Sequence, residues 1–185
     1  MILLEEVFSK LVSFLNKEKL EYIIIGGIAV GVLGEPRVTG DIDVDILLEK
    51  NDVADFLEKI KKSGFKTNKQ KSIERAKKTN IFQIDYKDYH VDFIIASIEL
   101  EKEAFRRKKA ITLHGVKAFF PTPEDLILLK IIPGRPKDLI DAENVAIRNK
   151  GKLDTRYLKN WAQRLSDETE DMRIYNNLQK LLNLK

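Results

Sequence analysis

Residues 2 to 19 carry Leu3, Leu4, Val7, Phe8, Leu11, Val12 and Leu15 at helical spacing, which predicts an amphipathic helix. Leu20 to Ile25 is a short β-branched run that reads as a strand, broken by Gly26-Gly27; Ile28 to Leu33 reads as a short helix. Gly34-Glu35-Pro36 marks a turn. Asp41 to Leu48 then alternates acidic and aliphatic residues, the period-two signature of a strand. Val53, Phe56, Leu57 and Ile60 define the next helix, with Asn51 or Asp52 as its cap and Ser63-Gly64 as its end. Asn80 to Tyr86 and His90 to Ile95 alternate as two strands around a hairpin turn at Lys87-Asp88. Ser97 to Lys109 is expected to be helical, and Ile111 to Phe120 forms a strand pair around His114-Gly115. After Pro121-Thr122-Pro123 the pattern is helical only: Pro123 to Ile131, a break at Pro133-Gly134-Arg135-Pro136, then about 137 to 148, 154 to 165 and 168 to 182. The expected architecture is α/β (α+β). A mixed sheet with helices fills residues 1–120, and a helical region, 121–185, packs on that core.

Composition narrows the classes. At 185 residues, 43% hydrophobic and 34% charged, the chain has the make-up of a soluble globular protein with a real core. It contains no cysteine, which excludes disulfides, thiolate metal sites and thiol nucleophiles; two histidines, His90 and His114, exclude a multi-histidine metal site. No apolar run approaches the roughly 18 residues of a membrane helix. The acids in MILLEEVFSK do not suit a signal peptide, so the expected location is the reducing cytoplasm. Abundant Lys, Glu and Ile without Cys is the composition of a thermophile. Net charge is +4, mildly basic and compatible with anionic ligands. The basic residues concentrate between Lys59 and Lys78, nine Lys/Arg against one acid, Glu74. This stretch is read as part strand and part exposed loop. It is either a solvated surface or an electrostatic track for an RNA acceptor, and it lacks the interleaved aromatics of a stacking platform.

The candidate chemistry lies between Ile23 and Leu48. On a strand, Asp41, Asp43 and Asp45 face one side about 7 Å apart. Such a row needs water, a basic partner or metal ions, because unpaired buried charge is costly. Hard cations such as Mg²⁺ take one or two carboxylates plus substrate phosphates. Upstream, Gly26 and Gly27 let a backbone approach phosphate closely at a helix start. Asp92 is a third carboxylate, isolated in an apolar strand. A P-loop is absent, as is the G-x-G-x-x-G of dinucleotide-binding domains.

Ile25-Gly26-Gly27, Asp41-Ile42-Asp43-Val44 and Val91-Asp92-Phe93 together resemble the motif of the DNA polymerase β-type nucleotidyltransferase superfamily. Arg37-x-Thr39-x-Asp41-x-Asp43, with Lys130 and Arg135-Pro136-Lys137-Asp138-x-x-Asp141, is similar to its small prokaryotic branch that contains the AbiEii-type toxins. The resemblance covers about residues 20 to 95, and more weakly 123 to 145. It implies that Gly26 and Gly27 hold an NTP triphosphate and that Asp41, Asp43 and Asp92 are catalytic and bind two Mg²⁺ ions. It implies further that Arg37, Thr39 and Lys130 contact the nucleotide. The acceptor it implies is a hydroxyl on RNA, protein or a small molecule, with a toxin–antitoxin link as one setting. Asp43-x-Asp45 also fits the paired-carboxylate pattern; the spacing from Arg37 and Thr39 favours Asp41 with Asp43 and leaves Asp45 as a salt-bridged bystander. The alternative class is a non-catalytic nucleotide- or RNA-binding module on the same fold, which has no need of three carboxylates.

Overall fold

The structure is a computed structural model that describes residues 3–183. The start of the first expected helix at Ile2 lies outside those residues. The chain divides into two compact units, Met1–Ile28 with Val38–Phe120, and Ala29–Arg37 with Pro121–Lys185.

The first unit is built on a four-stranded mixed sheet in the order β1-β2-β4-β3, with β1 Tyr22–Ile25, β2 Asp41–Ile46, β3 Ile81–Tyr86 and β4 Tyr89–Ile95. β2 runs parallel to β4, and both outer pairings are antiparallel. A separate two-stranded ribbon joins β5 Lys109–Leu113 to β6 Val116–Phe120 through His114 and Gly115, both at positive φ. One face of the four-stranded sheet is aromatic. Phe82 and Phe93 stack with ring centroids 4.9 Å apart, and Phe56 meets both edge-on. Phe56 belongs to α3, Val53–Lys62, and itself contacts Phe14 of α1, Leu4–Lys17. These two helices therefore cover the face on which Ile42, Val44, Ile84 and Val91 are fully buried.

Period two puts the acids on the opposite face. There α5, Glu99–Arg107, covers one end: Ala104 and Phe105 pack with Ile23, the register partner of Asp45. The Glu101 carboxylate accepts from the Ser97 and Ile98 amides and closes the first turn of α5.

Several local expectations change. The basic stretch is mostly helical: it holds the end of α3 and nearly all of α4, Lys69–Thr79, and the expected strand and loop character is confined to residues 63–68, where Lys66 bridges Asp85. Asn68 caps α4 by accepting from Lys71 N, Ser72 and Ala76 supply a narrow buried stripe, and Asn80 ends it at φ 58°. Low hydrophobicity hid a helix whose stability rests on its caps and one packed edge. Lys50–Asp52 is a 3-10 turn, and Asp52 makes no side-chain cap bond to α3. α2, Gly26–Leu33, begins at the glycine pair rather than after it.

The second unit carries α6 Pro123–Ile131, α7 Pro136–Arg148, α8 Thr155–Thr169 and α9 Met172–Leu182. The segment 29–37 belongs with it: Gly34 lies against Val145, Arg148 donates to Gly34 O and Asn149 to Leu33 O. Among the described residues no helix is long and apolar enough to cross a membrane.

Candidate functional site

Parallel pairing of β2 with β4 sets Asp43 directly beside Asp92, and Asp41 beside His90. The four side chains share the face left open by α5, since register partners point to the same side. Asp41 is exposed, Asp43 half-buried and Asp45 buried, so solvent access falls steadily along β2. The strand enters the core from the site.

Gly26 completes this arrangement from β1. Ile25 is the register partner of Asp43, and Gly26 turns away from it at φ 63°. A Cβ there would lie 1.8 Å from Asp43 Oδ2 and 2.7 Å from Asp43 Cβ. Only glycine fits both the left-handed backbone and the contact. Gly27 follows at the start of α2, where backbone N–H groups lack helical partners. Thr39 Oγ1 donates to Asp41 Oδ1 at 2.8 Å, fixing one carboxylate oxygen and leaving the other for a ligand.

Asp92 Oδ1 is a buried oxygen with no hydrogen-bond partner. Burial raises the Asp92 pKa above the ordinary carboxylate value; the Arg75 charge opposes this and Asp41 adds to it. An orphaned carboxylate oxygen beside two more carboxylates is a donor set suited to a hard divalent cation. Among the described residues, however, no three His, Asp or Glu side chains are gathered into a ready-made metal cage.

Asp45 does not take the place of Asp92. It is 1% exposed, and among the described residues neither oxygen has a hydrogen-bond partner and the salt bridge expected for it is absent. Burial, with the charges of Glu101 and Asp43 adding, raises its pKa well above the ordinary value. A raised folded-state pKa gives stability that is present below the unfolded value and lost as pH rises towards the folded one. Asp45→Asn removes that loss. Its stability relative to wild type should climb as pH rises above the ordinary carboxylate value of about 4, by at most about 1.4 kcal/mol per pH unit, as read from urea midpoints.

Arg37 and Lys130 are held in a second cluster, within the helical unit. Arg37 makes a two-point pair with Asp141, at 2.8 and 2.9 Å. Lys130 Nζ reaches Asp138 at 2.9 Å and Asp141 at 3.1 Å, and Arg135 also pairs with Asp138. Asp138 and Asp141 are both buried. Burial pushes the Asp141 pKa up, but hydrogen bonds from Arg37 and Lys130 outweigh it and the net shift is downward. A depressed folded-state pKa gives stability present above the unfolded value and lost as pH falls through the folded one. Asp141→Asn should therefore cost about 3 kcal/mol at neutral pH, the lower end for breaking a buried pair, and flatten the acid limb of stability. Urea unfolding of both proteins at neutral and acid pH checks it.

Residues beside Asp92 escaped the sequence reading. Gln83 is its register partner on β3, and Asp85 pairs with His90, whose Nδ1 lies 2.6 Å from Asp85 Oδ1. The signal was present: counting back from the Lys87-Asp88 turn pairs Tyr86 with Tyr89 and hence Gln83 with Asp92.

The fold resembles that of known nucleotidyltransferases. The solution structure of the antibiotic-resistance factor ANT(2'')-Ia superposes with a TM-score of 0.61 at 12% identity, covering 90% of this chain and 95% of that one. The crystal structure of ANT(2'')-Ia in complex with adenylyl-2''-tobramycin gives 0.57 at 13% identity, over 89% and 98%. No curated protein matches the sequence. The family described as "Nucleotidyltransferase of unknown function (DUF6036)" matches residues 3–183, nearly the whole chain, and this protein belongs to it.

Proposed function

We propose that the protein transfers a nucleotidyl group from an NTP to a hydroxyl acceptor with the help of Mg²⁺. The observation that carries this reading is the pairing of Asp43 with Asp92 across the parallel ladder, with Gly26 closed against Asp43. Gly26, Gly27 and the start of α2 receive the triphosphate, whose charge suits a helix N-terminus. Asp41, Asp43 and Asp92 would hold two Mg²⁺ ions. When bound, these ions neutralise phosphate charge and stabilise the attacking and leaving oxygens. Thr39 fixes the orientation of Asp41. Asp92 lies on the side of the site away from the glycines, where the acceptor enters. The acceptor hydroxyl gives up its proton to water, its oxygen bonds to the α-phosphorus, the bond from the α-phosphorus to the bridging oxygen breaks, and pyrophosphate leaves. We retain Arg37 and Lys130 as donors to the nucleotide phosphates, and residues 1–120 as the part that carries the chemistry.

The steep burial along β2 supports Asp41 over Asp45 as the partner of Asp43. The likeness to the AbiEii-type branch keeps a toxin–antitoxin setting within the proposal. Calorimetry with each NTP, with and without Mg²⁺, tests the reading on wild type and Asp41→Ala. Metal-dependent binding lost in the variant is the expected result. No such binding by the wild type overturns it.

A further inference from the structure

A cleft lies beside Asp92, between α4 and β3. Lys71 and Arg75 line it from α4, and Gln83 and Asp85 from β3. Its volume is about 130 Å³. Pockets that enclose a whole small ligand are larger, roughly 300–1,000 Å³, so the cleft suits one group of a larger molecule. Its place follows from the sheet order. β1 and its glycines are at one edge, β3 is at the other, and the carboxylates are on the two strands between. With the triphosphate on the glycine side, the β3 side is left for the acceptor.

The chemistry of the cleft is that of an anion site. Lys71 and Arg75 are four residues apart on a helix and so project from one face, one turn apart. Neither side chain has a hydrogen-bond or ion-pair partner among the described residues, and both are exposed. The Gln83 side-chain amide adds a donor, while its backbone carbonyl is already taken by Thr67 and Ser72. The one acid in the cleft, Asp85, is hydrogen-bonded to His90. The same stretch of sequence carries further cations, Lys66, Lys77 and Lys78, besides Lys69, which pairs with Glu58.

We propose that this cleft seats a phosphate of the acceptor, so that the group receiving the nucleotide is a hydroxyl of a nucleotide or of a nucleic-acid end. The inference rests on the donor reading above and adds the acceptor class to it. Phosphate offers several oxygens to two separated cations and an amide, which a neutral or cationic acceptor cannot.

The test uses the full chain, with and without Mg·ATP. Binding of adenosine, AMP and a short 5′-labelled oligoribonucleotide is measured on wild type and on the double variant Lys71→Gln/Arg75→Gln, whose changes are on the surface. AMP or the oligonucleotide should bind and adenosine should not. The variant should weaken that binding about ten-fold or more, as loss of hydrogen bonds to a charged group does; because the Arg75 charge also acts on Asp92, Lys71→Gln alone is the variant that should leave Mg·ATP affinity unchanged. For the oligonucleotide, the slope of log affinity against log salt should fall by about 0.7 for each cation removed. Tighter binding of the oligonucleotide than of AMP assigns a nucleic-acid end; equal affinity assigns a mononucleotide. Adenosine binding as well as AMP, neither phosphate probe binding, or an unchanged double variant each overturns the proposal. Failure of Mg·ATP to bind wild type is a separate result. It removes the donor reading, and the arms without Mg·ATP still decide on the cleft.

Discussion

Asp43→Asn should lower nucleotidyl transfer by about 10³-fold or more while leaving the fold intact. Asn keeps the shape and one oxygen but removes the charge that draws a divalent cation. Metal stabilisation of the transferring phosphoryl group supplies several kcal/mol, and each 1.4 kcal/mol is about ten-fold in rate. Asp43 is the carboxylate most deeply engaged in the site, lying against Gly26 and in register with Asp92. Removing its charge also relieves repulsion along β2, so the variant should unfold at the same or higher urea concentration than wild type. Pyrophosphate release with a saturating NTP is the activity readout. Full activity in a folded Asp43→Asn protein would remove the carboxylates from the mechanism.

Gly26→Ala should be comparably damaging by a different route. Alanine at φ 63° costs about 1–2 kcal/mol in backbone strain. The added methyl would also occupy the space of the Asp43 carboxylate, and the clash reaches Asp43 Cβ at 2.7 Å, which a change of rotamer alone cannot relieve. Asp43 must leave its position or β1 must separate from β2. Activity should fall about as far as in Asp43→Asn, and thermal stability should fall too, whereas Asp43→Asn spares it. The double variant Gly26→Ala/Asp43→Asn should be no less active than either single one, since both remove the same group. Additive losses would show that Gly26 acts on the nucleotide independently of Asp43.

The parts of the fold legible in the sequence are those with strong periodicity. The strands of the acidic face, the Lys87-Asp88 hairpin and the helices after Pro123 follow from alternation, turn chemistry and proline position. α4 did not, because a helix with only Ser72 and Ala76 buried has almost no apolar stripe, and lysines are equally at home in loops. The inequality of the three β2 carboxylates was legible only as spacing. Its physical form, a gradient from exposed Asp41 to fully buried Asp45, depends on where α5 lies across the sheet, and alternation within β2 says nothing of that. For the same reason Asp45 could not be recognised as a buried acid with no partner. The Arg37–Asp141 pair spans 104 positions, and the Lys130–Asp138 pair, only eight positions apart, joins two helices across the break at Pro133–Pro136, so no rule within one helix reports either.

The segment between the glycine pair and β2 has a temporal consequence. Its partners come late: Arg37 binds Asp141 across 104 positions, Gly34 O receives Arg148 across 114, and Leu33 O receives Asn149 across 116. At a synthesis rate of about 5–20 residues per second, these partners leave the ribosome several seconds after the segment itself. The strands can pair meanwhile, but the linker that joins Gly26-Gly27 to Asp41 cannot settle until α7 exists. Nascent chains should therefore acquire the sheet first and competence for nucleotide last.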